Sequence, residues 1–161
     1  MQFDTAKISF VVIARPLTFA LVAPLASLIT IRVGEKAMGM VGGMCVVMSM
    51  FMFTTVDFGS SMLAVLIALG LSGAGIGIAS PAMTSLVANA VDERDLGVAG
   101  AMQQLMTQMG AVFGSVVMTT VQQATSDGDP TASSFAAAFY VAMGVAVGAI
   151  IFSSRVRSTP R

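Results

Sequence analysis

The charged residues of the chain separate five long uncharged stretches. A helix needs about 20 mostly apolar residues to cross the hydrocarbon core of a bilayer, and each stretch approaches or exceeds that length. We therefore predict five membrane-spanning helices, the first of which extends back to include the apolar residues before Arg15. Their approximate limits are 8–31, 37–56, 62–90, 96–121 and 134–153.

Short connections join the predicted helices. Three of them are Arg32–Lys36, Asp57–Ser61 and Asp92–Asp95, and a longer one, Gln122–Ser133, contains the sequence Asp-Gly-Asp-Pro. Short connections make consecutive helices antiparallel neighbours in space. We expect an all-α membrane protein in which residues 1–161 form a single, partial transmembrane domain with no separate soluble domain.

A soluble helical bundle is the competing explanation for so many apolar residues. A soluble helix keeps a polar face toward water. The second predicted helix offers only Ser49, Thr54 and Thr55 for such a face, and the range 135–152 offers only Tyr140. The membrane explanation is favoured, and the lipid bilayer is the first partner that we expect.

Composition removes several classes of function. Hydrophobic residues make up 56% of the chain and charged residues 10%, and the formal net charge is zero, so we expect no basic surface for nucleic acid. The chain has no histidine and a single cysteine, Cys45, which leaves no metal site, no cofactor and no Ser/His or Cys/His nucleophile pair. We do not expect an enzyme.

Basic residues are distributed unequally between the two ends of the predicted bundle. Arg32, Lys36 and Arg94 fall on one side together with the arginines after 154, whereas Lys7 falls on the other. Cytoplasmic loops are enriched in Lys and Arg. We expect a multi-pass protein of the plasma membrane, with the amino terminus of this segment outside and its carboxyl terminus in the cytoplasm. Residues 1–7 lack the basic start of a signal peptide, so the chain resembles the continuation of a longer one.

Small residues recur at a spacing that permits close helix packing. Glycines four residues apart let two helix backbones approach each other in a membrane. Such pairs occur at Gly39 and Gly43, Gly73 and Gly77, Gly110 and Gly114, and Gly144 and Gly148. We expect these pairs to hold a tightly packed bundle.

The fourth predicted helix has the clearest polar face. At 100° per residue, one stripe carries Gly97, Gly100, Gln104, Thr107, Gln108, Ala111, Ser115, Thr119 and Gln122. Polar side chains at membrane depth usually face protein or a water-filled cavity. Gln104, Thr107, Gln108 and Ser115 are candidates for lining the path of a solute. The alternative is that they only form hydrogen bonds with neighbouring helices.

The first predicted helix contains the only charge that we place inside a span, Arg15. Its long side chain either reaches the outer surface or faces a central cavity, where it would be a further path candidate. Pro16 and Pro24 follow it and argue against a straight anchoring helix.

The third predicted helix combines proline, glycine and polar residues. Pro81, Ser85 and Asn89 follow one another every four residues, after a glycine-rich run that includes Gly73 and Gly77. Proline loosens a helix, so Pro81 marks either a hinge or a fixed kink. Ser85 and Asn89 complete the set of path candidates.

One segment resembles the loop motif of the major facilitator superfamily. In that motif a Gly, three variable residues, Asp-Arg, one variable residue, Gly and a basic pair join consecutive helices. Within the segment Pro24–Lys36, the residues Arg32, Gly34 and Lys36 match the motif. The departures are Ser27 for the first Gly, Ile31 for the Asp and Glu35 for one basic residue.

A longer stretch, from Gly70 to Gln123, is similar to the late helices of a branch within that superfamily. Gly75–Ala82, Val87–Ala101 and Gln103–Gly110 look like the corresponding segments of the EmrB/QacA-type drug:proton antiporters. The resemblance covers nearly the whole chain but only the last five helices of the family's core, in its carboxy-terminal six-helix half.

The resemblance implies export of a small, often hydrophobic or cationic, solute by alternating access, driven by proton entry. None of the five predicted spans contains Asp or Glu, so a missing amino-terminal half would supply the proton-linked acidic residues and share the substrate. We do not expect this chain to transport alone. The alternative is a self-contained small membrane protein with a packing or assembly role and no solute path.

Overall fold

The computed structural model describes residues 5–55, 62–126 and 132–155. These residues form α1 (Thr5–Val33), α2 (Glu35–Thr54), α3 (Met62–Asn89), α4 (Leu96–Ala124) and α5 (Ala132–Arg155), with a short 3-10 turn, Glu93–Asp95, before α4. No strand occurs among them. The predicted all-α membrane fold is confirmed, and each helix begins and ends within about three residues of its predicted limit. The predicted connection Asp57–Ser61 and the middle of the connection Gln122–Ser133 lie outside the described residues.

Within the described residues, four helices are long and apolar enough to cross a membrane. They are the segments Val11–Val33, Glu35–Thr54, Met62–Asn89 and Ser133–Ser153. All five predicted helices are present, but α4, which has 29 residues, does not reach the apolar character of the other four. The glycines, amides and hydroxyls of its polar stripe lower its hydropathy. Much of the α4 surface therefore needs protein or water beside it if the helix lies in a bilayer.

The helix α3 packs along both α1 and α2 and is the centre of the bundle. α2 also contacts α5, α5 contacts α4, and α4 makes a smaller contact with α3. α2 and α3 run antiparallel, because Ser49 in the second half of α2 donates a hydrogen bond to the carbonyl of Ala68 near the start of α3 at 2.8 Å. A small core of Ala26, Met38 and Ala82 lies where α1, α2 and α3 meet.

A single residue, Gly34, separates α1 from α2. The predicted loop Arg32–Lys36 is therefore wrong in extent, because helical hydrogen bonding continues on both sides of Gly34. Its N–H donates to the carbonyl of Thr30 at 2.9 Å, and its own carbonyl accepts from the N–H of Met38 at 3.2 Å. The chain reverses through φ 94° and ψ 148° at Gly34, a backbone conformation that is nearly restricted to glycine.

The glycines of α3 face two different helices. A Cβ atom at Gly73 would collide with the carbonyl oxygen of Arg15, and one at Gly77 would lie 3.3 Å from the carbonyl oxygen of Phe19, both in α1. Gly75 lies two residues from each and faces α2 instead, where a Cβ would be 2.8 Å from the carbonyl oxygen of Gly42. Because glycine has no side chain, α3 approaches α1 on one side and α2 on the opposite side.

Of the other three predicted glycine pairs, only Gly43 faces a neighbouring helix in the described part of the chain. A Cβ would meet nothing within 4 Å at Gly39, or at either member of the pairs in α4 and α5, which are Gly110, Gly114, Gly144 and Gly148. Gly43 lies against the side chain of Ile150 in α5, 2.9 Å from the Cβ position. The packing role of the pairs in α4 and α5 therefore stays a prediction, because close approach needs a neighbour on the same face and no described residue lies there.

Candidate solute path and the groove beside it

The predicted polar stripe of α4 lies on an exposed side of that helix. Gln104 and Gln108 are exposed, and their side chains form no hydrogen bond with any described residue. Gly110 and Gly114, on the same helix, have open space where a side chain would be. Within the described part of the chain, this face of α4 has no covering helix.

The hydroxyl groups of the stripe bond to the backbone of α4 itself. Thr107 Oγ1 donates to the carbonyl oxygen of Gln103 at 2.9 Å, and Ser115 Oγ donates to that of Val112 at 2.8 Å. Both side chains are exposed. Their hydroxyl protons are therefore used within the helix, and their oxygen lone pairs remain open to other groups.

Another side of α4 faces α3 across an open groove of about 590 Å³. The positions on α4 recur at helical spacing of three and four residues, so they form one face. The groove is lined by Ala99, Met102, Gln103, Met106 and Thr107 of α4 and by Met83 and Val87 of α3. Thr107 thus belongs both to the predicted stripe and to the edge of the groove.

Gln103 is the amide that links α4 to α3. Its Nε2 donates to Thr84 Oγ1 of α3 at 3.3 Å, and Thr84 Oγ1 in turn donates to the carbonyl oxygen of Ser80 at 3.1 Å. The sequence analysis missed Gln103 because it lies beside the polar stripe rather than on it. The available signal was its spacing from the apolar residues Ala99 and Met106, which shows that the residue shares their face.

The comparison with known families covers the whole chain. The model of the Major Facilitator Superfamily matches residues 1–161. The chain belongs to the major facilitator superfamily. No curated protein and no solved structure matches it. Membership makes the chain part of a family of multi-pass membrane transporters, which accords with its long apolar helices.

In this superfamily member, most residues of the loop motif lie within helices. Ser27 is exposed inside α1, Arg32 is exposed in the last turn of α1, and Lys36 is half-buried in the first turn of α2. Only Gly34 lies between the helices. The motif therefore spans a helix end, a one-residue reversal and a helix start.

Asn89, a predicted path residue, contacts Glu35, which replaces one of the two basic residues of the loop motif. Asn89 Nδ2, at the end of α3, donates to Glu35 Oε1, at the start of α2, at 3.0 Å. Sequence reasoning did not anticipate this pair, because the two residues are 54 positions apart. The hydrogen bond ties the antiparallel helices α2 and α3 together at one end.

The remaining predicted path residues of this chain lie on α1 and α3. Arg15 is exposed and forms no hydrogen bond or ion pair with a described residue, while Ser85 is half-buried. α1 and α4 share no substantial contact, so the described residues do not bring Arg15 to the polar stripe. α1 continues through Pro16 and Pro24, and α3 continues through Pro81.

Proposed function

We propose that this chain is the carboxy-terminal part of a proton-coupled exporter of small molecules, of the EmrB/QacA type, that works by alternating access. Residues 1–161 form one transmembrane domain and supply the last five helices of the second six-helix half. The domain lies in the plasma membrane with its amino terminus outside and its carboxyl terminus in the cytoplasm. Substrate and proton are shared with the helices of the first half.

The uncovered polar stripe of α4 is the observation that carries this proposal. An unpaired amide costs about 2–7 kcal/mol when it moves from water into an apolar medium, so Gln104 and Gln108 are unfavourable against lipid tails. A water-filled path between two transporter halves removes this cost, since water or a solute then satisfies both amides. The open glycines of α4 support the same placement, because they leave room for a second helix or a solute.

The other path candidates have supporting roles in the proposal. Arg15 is the charged group that a solute or a carboxylate of the first half would meet on α1, and Ser85 is a half-buried hydroxyl on α3. Pro81 and the glycines Gly73 and Gly77 allow α3 to bend while the path changes access.

The upstream reading frame provides the first test. The proposal expects in-frame sequence that encodes seven to nine more spans. A start codon with its own ribosome-binding site, preceded by no in-frame helices, would instead support a small membrane protein with a packing or assembly role.

Efflux measurements on the complete transporter provide the second test. We expect Gln104→Leu combined with Gln108→Leu to reduce the efflux rate of ethidium, a lipophilic cation, by at least about tenfold, on the scale of one or two lost hydrogen bonds. Gln123→Leu is the matched control, because this exposed amide lies on α4 outside the stripe. Unchanged efflux and substrate range in the double variant would remove the two amides from the path.

A fusion of green fluorescent protein after Arg161 tests the orientation. The proposal expects a fluorescent fusion, because the reporter then folds in the cytoplasm. A dark reporter, with an active alkaline phosphatase fusion at the same position, would reverse the topology.

A further inference from the structure

The helix α4 is held in place by few side-chain contacts. No described residue of α4 is buried, and within 96–117 only Ala99 and Gln103 are half-buried. The apolar side chains that α4 places beside α3 include Met102 and Met106, which are 54% and 60% exposed. Methionine side chains adapt to many packing arrangements. Apolar packing against α3 therefore leaves the rotation of α4 about its own axis weakly defined.

The bond between Gln103 and Thr84 is the one side-chain hydrogen bond that joins α4 to another helix within the described parts of the chain. Its direction is fixed by a second bond. Thr84 Oγ1 donates its only proton to the carbonyl oxygen of Ser80 at 3.1 Å, so it accepts from Gln103 Nε2 at 3.3 Å. This directional contact requires the Gln103 face of α4 to turn toward α3.

The residue that follows Gln103 on α4 is also a glutamine, and it belongs to the polar stripe. Successive helix residues are rotated by about 100°, so Gln104 and Gln108 point about 100° and about 140° away from the direction of Gln103. With Gln103 bound to Thr84, both amides turn away from α3, and both are exposed. If Gln104 took the place of Gln103 at Thr84, Gln108 would point within about 40° of the same direction. The choice between two adjacent glutamines therefore decides whether the stripe faces away from α3 or against it.

We infer that Gln103 is a positioning residue. Its bond to Thr84 sets the rotation of α4 and so turns Gln104 and Gln108 toward the proposed solute path. This role rests on the proposed function, in which those two amides meet the solute. Gln103 itself lies on the side of α3 and acts only through the orientation of α4.

Disulfide formation between α3 and α4 measures this rotation directly. Val87 and Ala99 line the same groove, whereas Gly100 belongs to the polar stripe and has open space at its Cβ position. The full-length protein, with Cys45→Ala and in membrane vesicles, carries Val87→Cys together with either Ala99→Cys or Gly100→Cys. Copper phenanthroline oxidises each pair, and mass spectrometry after alkylation counts the remaining thiols. We expect the pair at 87 and 99 to form its disulfide faster than the pair at 87 and 100.

Loss of the bond should reduce this preference. Thr84→Val keeps the shape of the side chain without the acceptor, and Gln103→Leu removes the donor. In each variant the ratio of the two disulfide rates should fall by about three- to tenfold, the scale of one lost hydrogen bond. The two substitutions together should lower the ratio no further than either one alone. They lie on different helices, so either variant tests the inference if the other does not fold.

Thr84→Ser is the matched control, because it retains the acceptor oxygen and should keep the ratio of the unmodified protein. An unchanged ratio in Thr84→Val and Gln103→Leu would mean that packing against α5 sets the rotation, and the inference would be wrong. An equal fall of the ratio in Thr84→Ser and Thr84→Val would contradict it as well, because the hydrogen bond would then not be the cause.

Efflux measurements separate this inference from the proposed function. In the complete transporter, Thr84→Val should slow ethidium efflux, but it should add no further loss when Gln104→Leu and Gln108→Leu are already present. Slow efflux in the Gln104→Leu and Gln108→Leu variant, with unchanged disulfide ratios in Thr84→Val, would contradict the positioning role alone. A changed ratio with unchanged efflux in Thr84→Val would keep Gln103 as the residue that sets the rotation and would contradict the path role of the two amides.

Discussion

Gly42 of α2 and Gly75 of α3 face each other so closely that neither position has room for a side chain. A Cβ at Gly42 would lie 2.6 Å from the carbonyl oxygen of Gly75, and a Cβ at Gly75 would lie 2.8 Å from that of Gly42. The obstructing atoms belong to the backbone, so they move only if a helix moves. This contact sets the separation of the two helices in the middle of the bundle.

Alanine at either glycine should therefore destabilise the bundle. We expect Gly42→Ala and Gly75→Ala each to lower the free energy of unfolding by about 1–3 kcal/mol, the usual cost of overpacking. Thermal stability in detergent, followed as the fraction of protein that stays monodisperse after heating, measures this loss. Gly39→Ala is the control on the same helix, because its Cβ meets nothing within 4 Å. Equal stability of the three variants would mean that α2 and α3 do not approach as described.

Ser49 is fully buried and joins α2 to the carbonyl oxygen of Ala68. We expect Ser49→Ala to cost about 1 kcal/mol, the scale of a hydrogen bond between helices in a membrane. Ser80→Ala is the control, because that exposed hydroxyl forms no hydrogen bond with a described residue. The same thermal assay compares the two. A loss of stability in Ser80→Ala that equals the loss in Ser49→Ala would argue against a specific bond.

Gly34 should not tolerate any residue with a side chain, although it has space for one. A Cβ there meets nothing within 4 Å, so the cost comes from the backbone conformation alone. We expect Gly34→Ala to destabilise the protein by about 1–3 kcal/mol. Gly34→Asn should not rescue it, because ψ 148° lies outside the left-handed helical region that asparagine tolerates. Full stability of Gly34→Asn in the thermal assay would show that the reversal has a different geometry.

The bond between Asn89 and Glu35 predicts a charge-dependent rescue. Asn89→Asp places two carboxylates at hydrogen-bond distance, so it should reduce stability more than Asn89→Leu does. Because this pair is near the surface, the effect should stay within about 1 kcal/mol. Glu35→Gln added to Asn89→Asp should restore stability, since a neutral amide can then donate to the carboxylate. If the double variant is less stable than Asn89→Asp alone, the two side chains do not interact as described.

Much of the fold was predictable because apolar length and charge placement are local properties. The helix limits, the membrane class and the position of Gly34 at a reversal all follow from short stretches of residues. The polar character of α4 was also predictable from spacing, and so was the presence of Thr107 on that face. This polar stripe makes α4 less apolar than the other four helices.

The candidate site was harder to predict, because it depends on which helix faces meet. The sequence predicted Gln104 and Gln108 as path residues. Gln103 is the amide that contacts α3 and lines the groove. Asn89 looked like a path residue, yet its amide nitrogen bonds to Glu35. Neither contact can be predicted from local periodicity, since the partners are distant along the chain.

The sequence by itself determined the class of protein and the approximate ends of its helices, because the bilayer requires apolar segments of a set length. Only the tertiary structure decided which small residues join helices. Gly73 and Gly77 meet α1 and Gly75 meets α2, whereas Gly110 and Gly114 meet no described residue, although both glycine pairs have the same spacing. The physical reason is that a glycine permits two helices to approach closely but does not determine which helix lies beside it. That choice depends on how all the helices pack together.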